Sequence, residues 1–494
     1  MNFKKVDFIK ILVYNFKKVF LEVVIVKNLH PRYMCFPSVV EVGKETKVVI
    51  KPRDISRYFK ADKEYELKII GFRDDMPSYI SPEIPKCDFT ISSGCMIFGY
   101  TFESEQEYSI RFCEKGTKET RISLYAVESD LYNLRALKGD FHSHSYYSDG
   151  ADGLAMTPAD YREEGFDFFA LTDHNRMYTS KMAAKLYEDV PIALNIINGE
   201  EVHTPGSALH IVHIGGNYSV CDRYIKHNDE YEHEVSEIEK TLTHIPEQYR
   251  KRTAMAHWAC NEIHKAGGIA IFAHPLWTPN INNVSKEFCD ILFSEKIFDA
   301  FEVFGATGQR NSNLQLAIWQ EQLLKGNNIP VVSSSDSHNH DFSKTDFARR
   351  FTIVFAKSNT TADILEAVRN GRCAAAEMPM GDDNEIRFIA KDFRYSAFAH
   401  FLYENYFSET HRLCIGEGIL MRRYAEGEDV KKALEELMPT TDNFYKEYFG
   451  LIPTSTLPQE RLEFLNDCLT LQRTVGPDTC GSNLNVYGTN LKRE

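Results

Sequence analysis

Short apolar runs recur through the middle of the chain, and each stops at a histidine or an acidic side chain. Phe168-Phe169-Ala170-Leu171-Thr172-Asp173 delivers His174, and Ala193-Leu194-Asn195-Ile196-Ile197-Asn198-Gly199 delivers Glu200, Glu201 and His203. Leu209 to Ile214 carries His210 and His213. Ile269 to Ala273, after an Ala266-Gly267-Gly268 turn, delivers His274, and Pro330 to Ser335 delivers Asp336 and His338. Such runs read as buried strands. Helical periodicity between several of them, as in Pro158 to Glu164 and Ser312 to Lys325, gives the strand-helix alternation of a parallel β/α fold. In barrels of this kind functional side chains gather at the carboxyl ends of the strands.

The series begins with its densest member. Gly139-Asp140-Phe141-His142-Ser143-His144, followed by Ser148-Asp149-Gly150, sets two histidines and an aspartate within eight residues. Residues i and i+2 of a strand share a face, so His142 and His144 aim both imidazoles at one divalent ion, and Asp149 reaches a neighbouring one. Any single one of the 17 histidines is more commonly a satisfied core or surface residue. As a set they are poorly explained by packing, because a buried ionisable group is costly unless paired or metal-bound. The 11 cysteines include no Cys-x-x-Cys pair, and the ligand types exclude a zinc ribbon.

In this order the residues resemble the PHP (polymerase and histidinol phosphatase) superfamily of metallohydrolases. His142-x-His144 with Ser148-Asp149-Gly150 is similar to its first motif, Leu171-Thr172-Asp173-His174-Asn175 to its second, and Gly199-x-Glu201-Val202 to its third. Ala273-His274-Pro275 and Ser335-Asp336-x-His338 are similar to the last two. The resemblance covers residues 137 to 376 and implies a distorted (β/α)7 TIM-like barrel. It also implies two or three divalent ions (Zn, Mn or Fe) and a phosphoesterase. A minority of the family cleaves other esters such as carbamates, and a decayed, non-catalytic scaffold is the third reading.

By position, the resemblance implies His142, His144, Glu201 and Asp336 around one ion, with Glu201 bridging to a second held by His213 and His274. Asp149, His174 and His338 hold the third. His213 is preferred over His210 because Val212-His213-Ile214-x-Gly216 resembles the family's His-apolar-x-Gly strand. Glu200 is expected behind the site and His203 at the pocket edge. The implied chemistry is attack by a metal-made hydroxide near Glu201 and Asp336, with His338 among the catalytic set and Asp173, His338 and His340 as outer support. Arg176 and Arg310 fall on strand-end loops, where a guanidinium could grip phosphate as a fork, although a solvated surface arginine is an equally ordinary role for each.

Composition bounds the rest. With 494 residues, 43% of them hydrophobic, the chain has room for two or three domains. A formal net charge of -14 opposes binding along nucleic acid but not a small phosphorylated substrate or a short nucleic-acid end. The odd, scattered cysteines favour reduced thiols and a cytoplasmic setting. The segment 1–20 is interrupted by Asp7, Lys10, Lys17 and Lys18, so it is read as neither a secretory leader nor a membrane span. An amphipathic helix over 6–20 is the alternative. Residues 21–135 carry short β-rich runs, such as Val23–Val26 and Thr46–Ile50, and suggest a β-sandwich, whose role in substrate access or in a homo-oligomer is open. A helical extension is expected over 377–473, with the aromatic stripe Phe398, Phe401, Leu402, Tyr406 as core, and a mobile tail over 474–494.

Overall fold

The computed structural model describes residues 32–72, 86–277, 284–305, 308–339, 347–379 and 385–474. The stretch 6–20, the run Val23–Val26, His340 and the tail beyond 474 lie outside the described residues. The chain divides into two compact units, one built from 130–444 and the other from 32–129 with 445–474.

The second unit is a sandwich of two four-stranded sheets. Its strands are β1 (Tyr33–Phe36), β2 (Val39–Glu41), β3 (Glu45–Pro52), β4 (Tyr65–Ile70), β5 (Thr90–Ser92), β6 (Cys95–Thr101), β7 (Gln106–Glu114) and β8 (Thr120–Val127). One sheet has the order β1-β3-β6-β5 and the other β2-β8-β7-β4. Alternation sets the faces: Tyr108, Ile110 and Phe112 of β7 point inward with Leu67 and Ile69 of β4, against Val48, Ile50, Met96 and Phe98 of the facing sheet. Three-residue strands such as β2 and β5 are too short to show a period in the sequence.

The first unit is built on one ten-stranded sheet. Its strands are β9 (Arg135–Asp140), β10 (Phe168–Leu171), β11 (Asn195–His203), β12 (His210–Ile214), β13 (Ile269–Phe272), β14 (Ala300–Phe304), β15 (Val331–Ser333), β16 (Arg350–Ala356), β17 (Cys373–Glu377) and β18 (Arg387–Ala390). The order is β15-β14-β13-β12-β11-β10-β9-β16-β17-β18. The sheet nearly closes: Ser333 of β15 donates its amide to Thr352 Oγ1 (2.9 Å) and its hydroxyl to the Ala376 carbonyl (2.7 Å). Leu137, Ile197, Val212, Ile271, Val332 and Val354, from six of its strands, share one buried cluster. Phe272 and Phe301 face outward onto Phe293 of helix Lys286–Glu295, with ring centroids 5.5 and 5.1 Å away, in an outer cluster that also holds Trp258 of helix Glu247–Lys265.

The alternation is not uniformly parallel. β9 to β11 and β13 to β15 run parallel, whereas β12 is antiparallel to both neighbours and β16 to β18 are antiparallel. Only residues 204–209 separate β11 from β12, too few for a parallel crossover. Helix Ser408–Ala425 packs on helix Met156–Glu163, where Gly418 leaves room for the Glu163 backbone and buried Arg162 Nε meets Glu417 Oε2 at 2.8 Å. Phe398, Phe401, Leu402 and Tyr406 are buried as core. No helix among the described residues is long and apolar enough to cross a membrane.

Candidate metal centre

The parallel strands end on one side of the sheet and there release their polar residues. Asp140, the last residue of β9, ties that side together by accepting from the Ser335 amide (3.1 Å) and hydroxyl (2.5 Å), the Tyr161 hydroxyl (2.9 Å) and the His142 amide (3.2 Å). Burial pushes its carboxyl up to about 6 against the pull of those bonds. The residues after β9 bring in His142 and His144, β10 leads to His174, β13 to His274, and β15 to Asp336 and His338. Asp336 sits at φ +48°, a left-handed conformation unusual outside glycine and typical of strained functional positions.

Glu201, near the end of β11, is the hub. Its Oε2 lies 2.7 Å from His174 Nδ1, 3.3 Å from His142 Nε2 and 3.4 Å from His144 Nε2. Its Oε1 lies 2.8 Å from His210 Nδ1, 3.3 Å from His274 Nε2 and 3.4 Å from His203 Nε2. Asp336 Oδ1 stands 3.0 Å from His144 Nε2 and 3.3 Å from His142 Nε2. Asp149 Oδ2 stands 3.2 Å from His174 Nε2 and 3.3 Å from His338 Nε2. His144, Asp149, His174 and His338 converge as one group of ligand atoms; His142 with His144 and Glu201, His142 with His274 and Asp336, and Glu201 with His210 and His274 form others.

These atoms fit metal ions better than one another. The facing nitrogens of His142, His144, His174, His203, His210 and His274 and both oxygens of Glu201 are buried without a hydrogen-bond partner among the described residues, an expensive arrangement in a packed interior. Imidazole nitrogen with carboxylate oxygen is a donor set that Zn, Mn and Fe accept. Burial pushes His210 down to about 4, and His144 down as well, keeping those imidazoles neutral. Burial also works against charge on His142, but Asp336 and Glu201 outweigh it and hold that ring well above the ordinary histidine range. His142 and its neighbours in turn hold Glu201 and Asp336 below the usual carboxylate range despite burial.

A second layer orients the rings. Glu302 Oε2 lies 3.1 Å from His142 Nδ1, and the Asp336 carbonyl lies 2.8 Å from His338 Nδ1. Asp173 accepts from the Ser145 amide and hydroxyl and from the Ser148 hydroxyl, each at 2.7 Å, and Ser148 Oγ lies 3.4 Å from His144 Nδ1. Glu302 was not among the residues expected from the sequence; its one signal is a carboxylate inside the apolar run Ala300–Phe304.

His213 is a correction. It pairs across the hairpin with Glu200, whereas His210 pairs with His203, and alternation sends the two pairs to opposite faces. His213 Nδ1 lies 3.0 Å from Glu200 Oε1, and a Cβ on Gly216 or Gly268 would come within 2.0 or 2.6 Å of its Nε2, so the ring is closely packed away from Glu201. Because β12 is antiparallel, its first residue, His210, reaches the end where the parallel strands finish. His203 joins the cluster with Glu201 and His174, while Glu200 accepts from the Val220 amide and the Ser219 hydroxyl, both at 2.6 Å.

The centre opens on one side. His142 and His144 are fully buried, whereas the side chains of Asp149 and His338 are 52% and 39% exposed. On that side Arg176 donates from Nε to the His174 carbonyl (3.1 Å) and from Nη1 to the Tyr147 carbonyl. Arg310 is exposed in the first turn of helix Gln309–Leu324, and among the described residues no hydrogen bond or ion pair joins it to the cluster.

Neither a protein-family model nor a curated protein matches the chain. Among solved structures it is similar to a two-domain protein containing a predicted PHP-like metal-dependent phosphoesterase from Bacteroides vulgatus. That match has 21% identity and a TM-score of 0.36, over 49% of this chain and 65% of the other, so just under two thirds of that protein's length is spanned. It is similar to a metal-dependent phosphoesterase, described as putative, from Bifidobacterium adolescentis (16%, TM-score 0.30, over 40% and 87%). An amidohydrolase from Chromobacterium violaceum, solved with sulfate and no metal, matches at 16% and a TM-score of 0.29, over 42% and 89%. Metal-dependent phosphoesterases, one of them in a PHP-like two-domain protein, and an amidohydrolase are thus among the structural neighbours of this chain.

Proposed function

We propose that the chain is a metal-dependent hydrolase of phosphate esters, acting on a small phosphorylated metabolite, a nucleotide or a short nucleic-acid end. The observation that carries this reading is Glu201, whose two oxygens face separate sets of three histidine nitrogens, none of the eight atoms having a hydrogen-bond partner among the described residues. The ten-stranded sheet is, in this reading, a version of the seven-stranded barrel.

His142, His144, Glu201 and Asp336 would hold one cation, and Glu201, His210 and His274 a second. Asp149, His174 and His338 would hold a third. Bound divalent ions supply a water whose pKa falls from about 15.7 toward roughly 7 and neutralise phosphoryl oxygens. The chain does the positioning: Glu302 fixes the ring of His142, the Asp336 carbonyl fixes that of His338, and Asp173 holds the loop that carries Asp149. His203, whose Nε2 also faces Glu201 Oε1 at 3.4 Å, would join the ligands on that side of the cluster. Arg176 and Arg310 remain the proposed grips on the substrate phosphate.

Elemental analysis of the purified protein, chelation, and readdition of Mn or Zn, read against a panel of phosphomonoesters and phosphodiesters, test this. Activity should vanish with the metal and return with it. Full turnover by protein shown to be metal-free would overturn the reading.

A further inference from the structure

Within the β-sandwich unit lies a cleft of about 550 Å³ that none of the metal chemistry uses. Its floor is aromatic. Phe59 and Phe112 are buried, the Tyr33 ring packs 5.2 Å from each, and Tyr65 packs 5.3 Å from Phe59. The Tyr33 hydroxyl donates to the Arg57 carbonyl at 3.1 Å, and the Lys60 amide donates to the Tyr65 hydroxyl at 3.0 Å, so both half-buried tyrosines are fixed in place.

Its walls are basic. Arg32, Arg57, Lys60 and Lys118 line the cleft, and Glu114, the carboxylate in its lining, is paired with Lys63 at 2.8 Å. Among the described residues no ion pair joins the other four cations to a carboxylate. Such a concentration of positive charge runs against a chain of formal net charge -14 and sets up a local field that an anion would relieve. Arginine and lysine together suit phosphate, and tyrosine faces suit a planar ring. The volume falls within the roughly 300–1,000 Å³ of small-ligand sites.

We propose that this cleft binds a nucleoside phosphate, with the phosphates between Arg32, Arg57 and Lys118 and the base against Tyr33 and Tyr65. The site shares no residue with the metal centre and does not depend on the proposed hydrolase activity.

Titration calorimetry of the full chain with ADP, after chelation so that the metal centre takes no part, tests the proposal. ADP should bind one to one. Arg57→Ala and the charge reversal Lys118→Glu, both at exposed positions, should each weaken it about tenfold or more, as loss of a charge-assisted hydrogen bond does. Tyr65→Leu should weaken ADP by a similar factor and leave inorganic pyrophosphate unchanged. Absence of ADP binding, binding that survives Arg57→Ala combined with Lys118→Glu, or pyrophosphate binding as tightly as ADP would each overturn it. Melting curves identify any variant that does not fold, and the surface variants carry the test if Tyr65→Leu is one.

Discussion

Oε2 of Glu302 lies 3.1 Å from Nδ1 of His142, and both side chains are completely buried. The other ring nitrogen faces Glu201 and Asp336, each 3.3 Å away. A carboxylate behind an imidazole fixes its tautomer and strengthens it as a ligand, a contribution of about 10–100-fold in metal affinity. Glu302→Gln keeps the size and one acceptor but removes the charge. Metal affinity, read by competition with a chromogenic chelator, should fall within that range while the melting temperature changes little. Unchanged affinity would make Glu302 a packing residue.

Glu200 and Glu201 are adjacent and fully buried, yet they face opposite ways. Glu201→Gln should release more than one equivalent of metal and abolish turnover, because one residue serves both halves of the cluster. Glu200→Gln should keep its metal and instead lose about 1–3 kcal/mol of stability, since Glu200 accepts from the Val220 amide and the Ser219 hydroxyl inside the fold. Elemental analysis and denaturant titration separate the two, and equal metal loss would refute the strand register.

The same face argument separates His210 from His213. His210→Ala should cost one metal equivalent. His213→Ala should retain metal and lose about 2–4 kcal/mol of stability, because it empties a buried space and leaves the Glu200 carboxylate short of a partner. Metal loss from His213→Ala alone would reverse the assignment.

That pair also marks where the sequence was legible. His142, His144, His174, His274, Asp336 and His338 follow the ends of parallel strands, so an apolar run and its last residue were enough to find them. His210 stands at the beginning of its strand, and only strand direction brings it to the same end. The six-residue connection from 204 to 209 carried that information, since a parallel crossover needs a dozen or more. Glu302 could not be found this way, because it lies within a run and its meaning comes from His142, 160 positions earlier.

Metal loading should depend on pH, with a definite sign. Without metal, His142, His174 and His274 carry raised pKa values: burial resists their charge, but Asp336 and Glu201 beside His142, and Glu201 beside the other two, outweigh it. Raised basicity makes these rings compete for protons with a bound ion, His142 most strongly, whereas His210, low at about 4, does not near neutrality. Affinity should therefore fall as pH falls from neutrality, with protons released on loading. Titration calorimetry in buffers of different ionisation enthalpy measures their number, and no dependence on buffer would contradict the electrostatics.

Arg176 and Arg310 distinguish a phosphate grip from a surface charge. Arg176 spans the carbonyls of His174 and Tyr147, so its guanidinium is fixed between the two loops that carry His174 and Asp149. Arg176→Ala should lower kcat/KM for a phosphate ester by roughly tenfold to several hundredfold, about what charge-assisted hydrogen bonds supply, with metal content unchanged. Arg310 is exposed at the start of its helix and would have to reach the substrate from there, so its replacement should have the smaller effect. A neutral carboxyl ester offers no dianion, and its turnover should fall much less than that of the phosphate ester in Arg176→Ala. If both substrates fall alike, Arg176 acts as a staple between two loops rather than as a grip on phosphate. If neither falls, Arg176 takes no part in recognising phosphate.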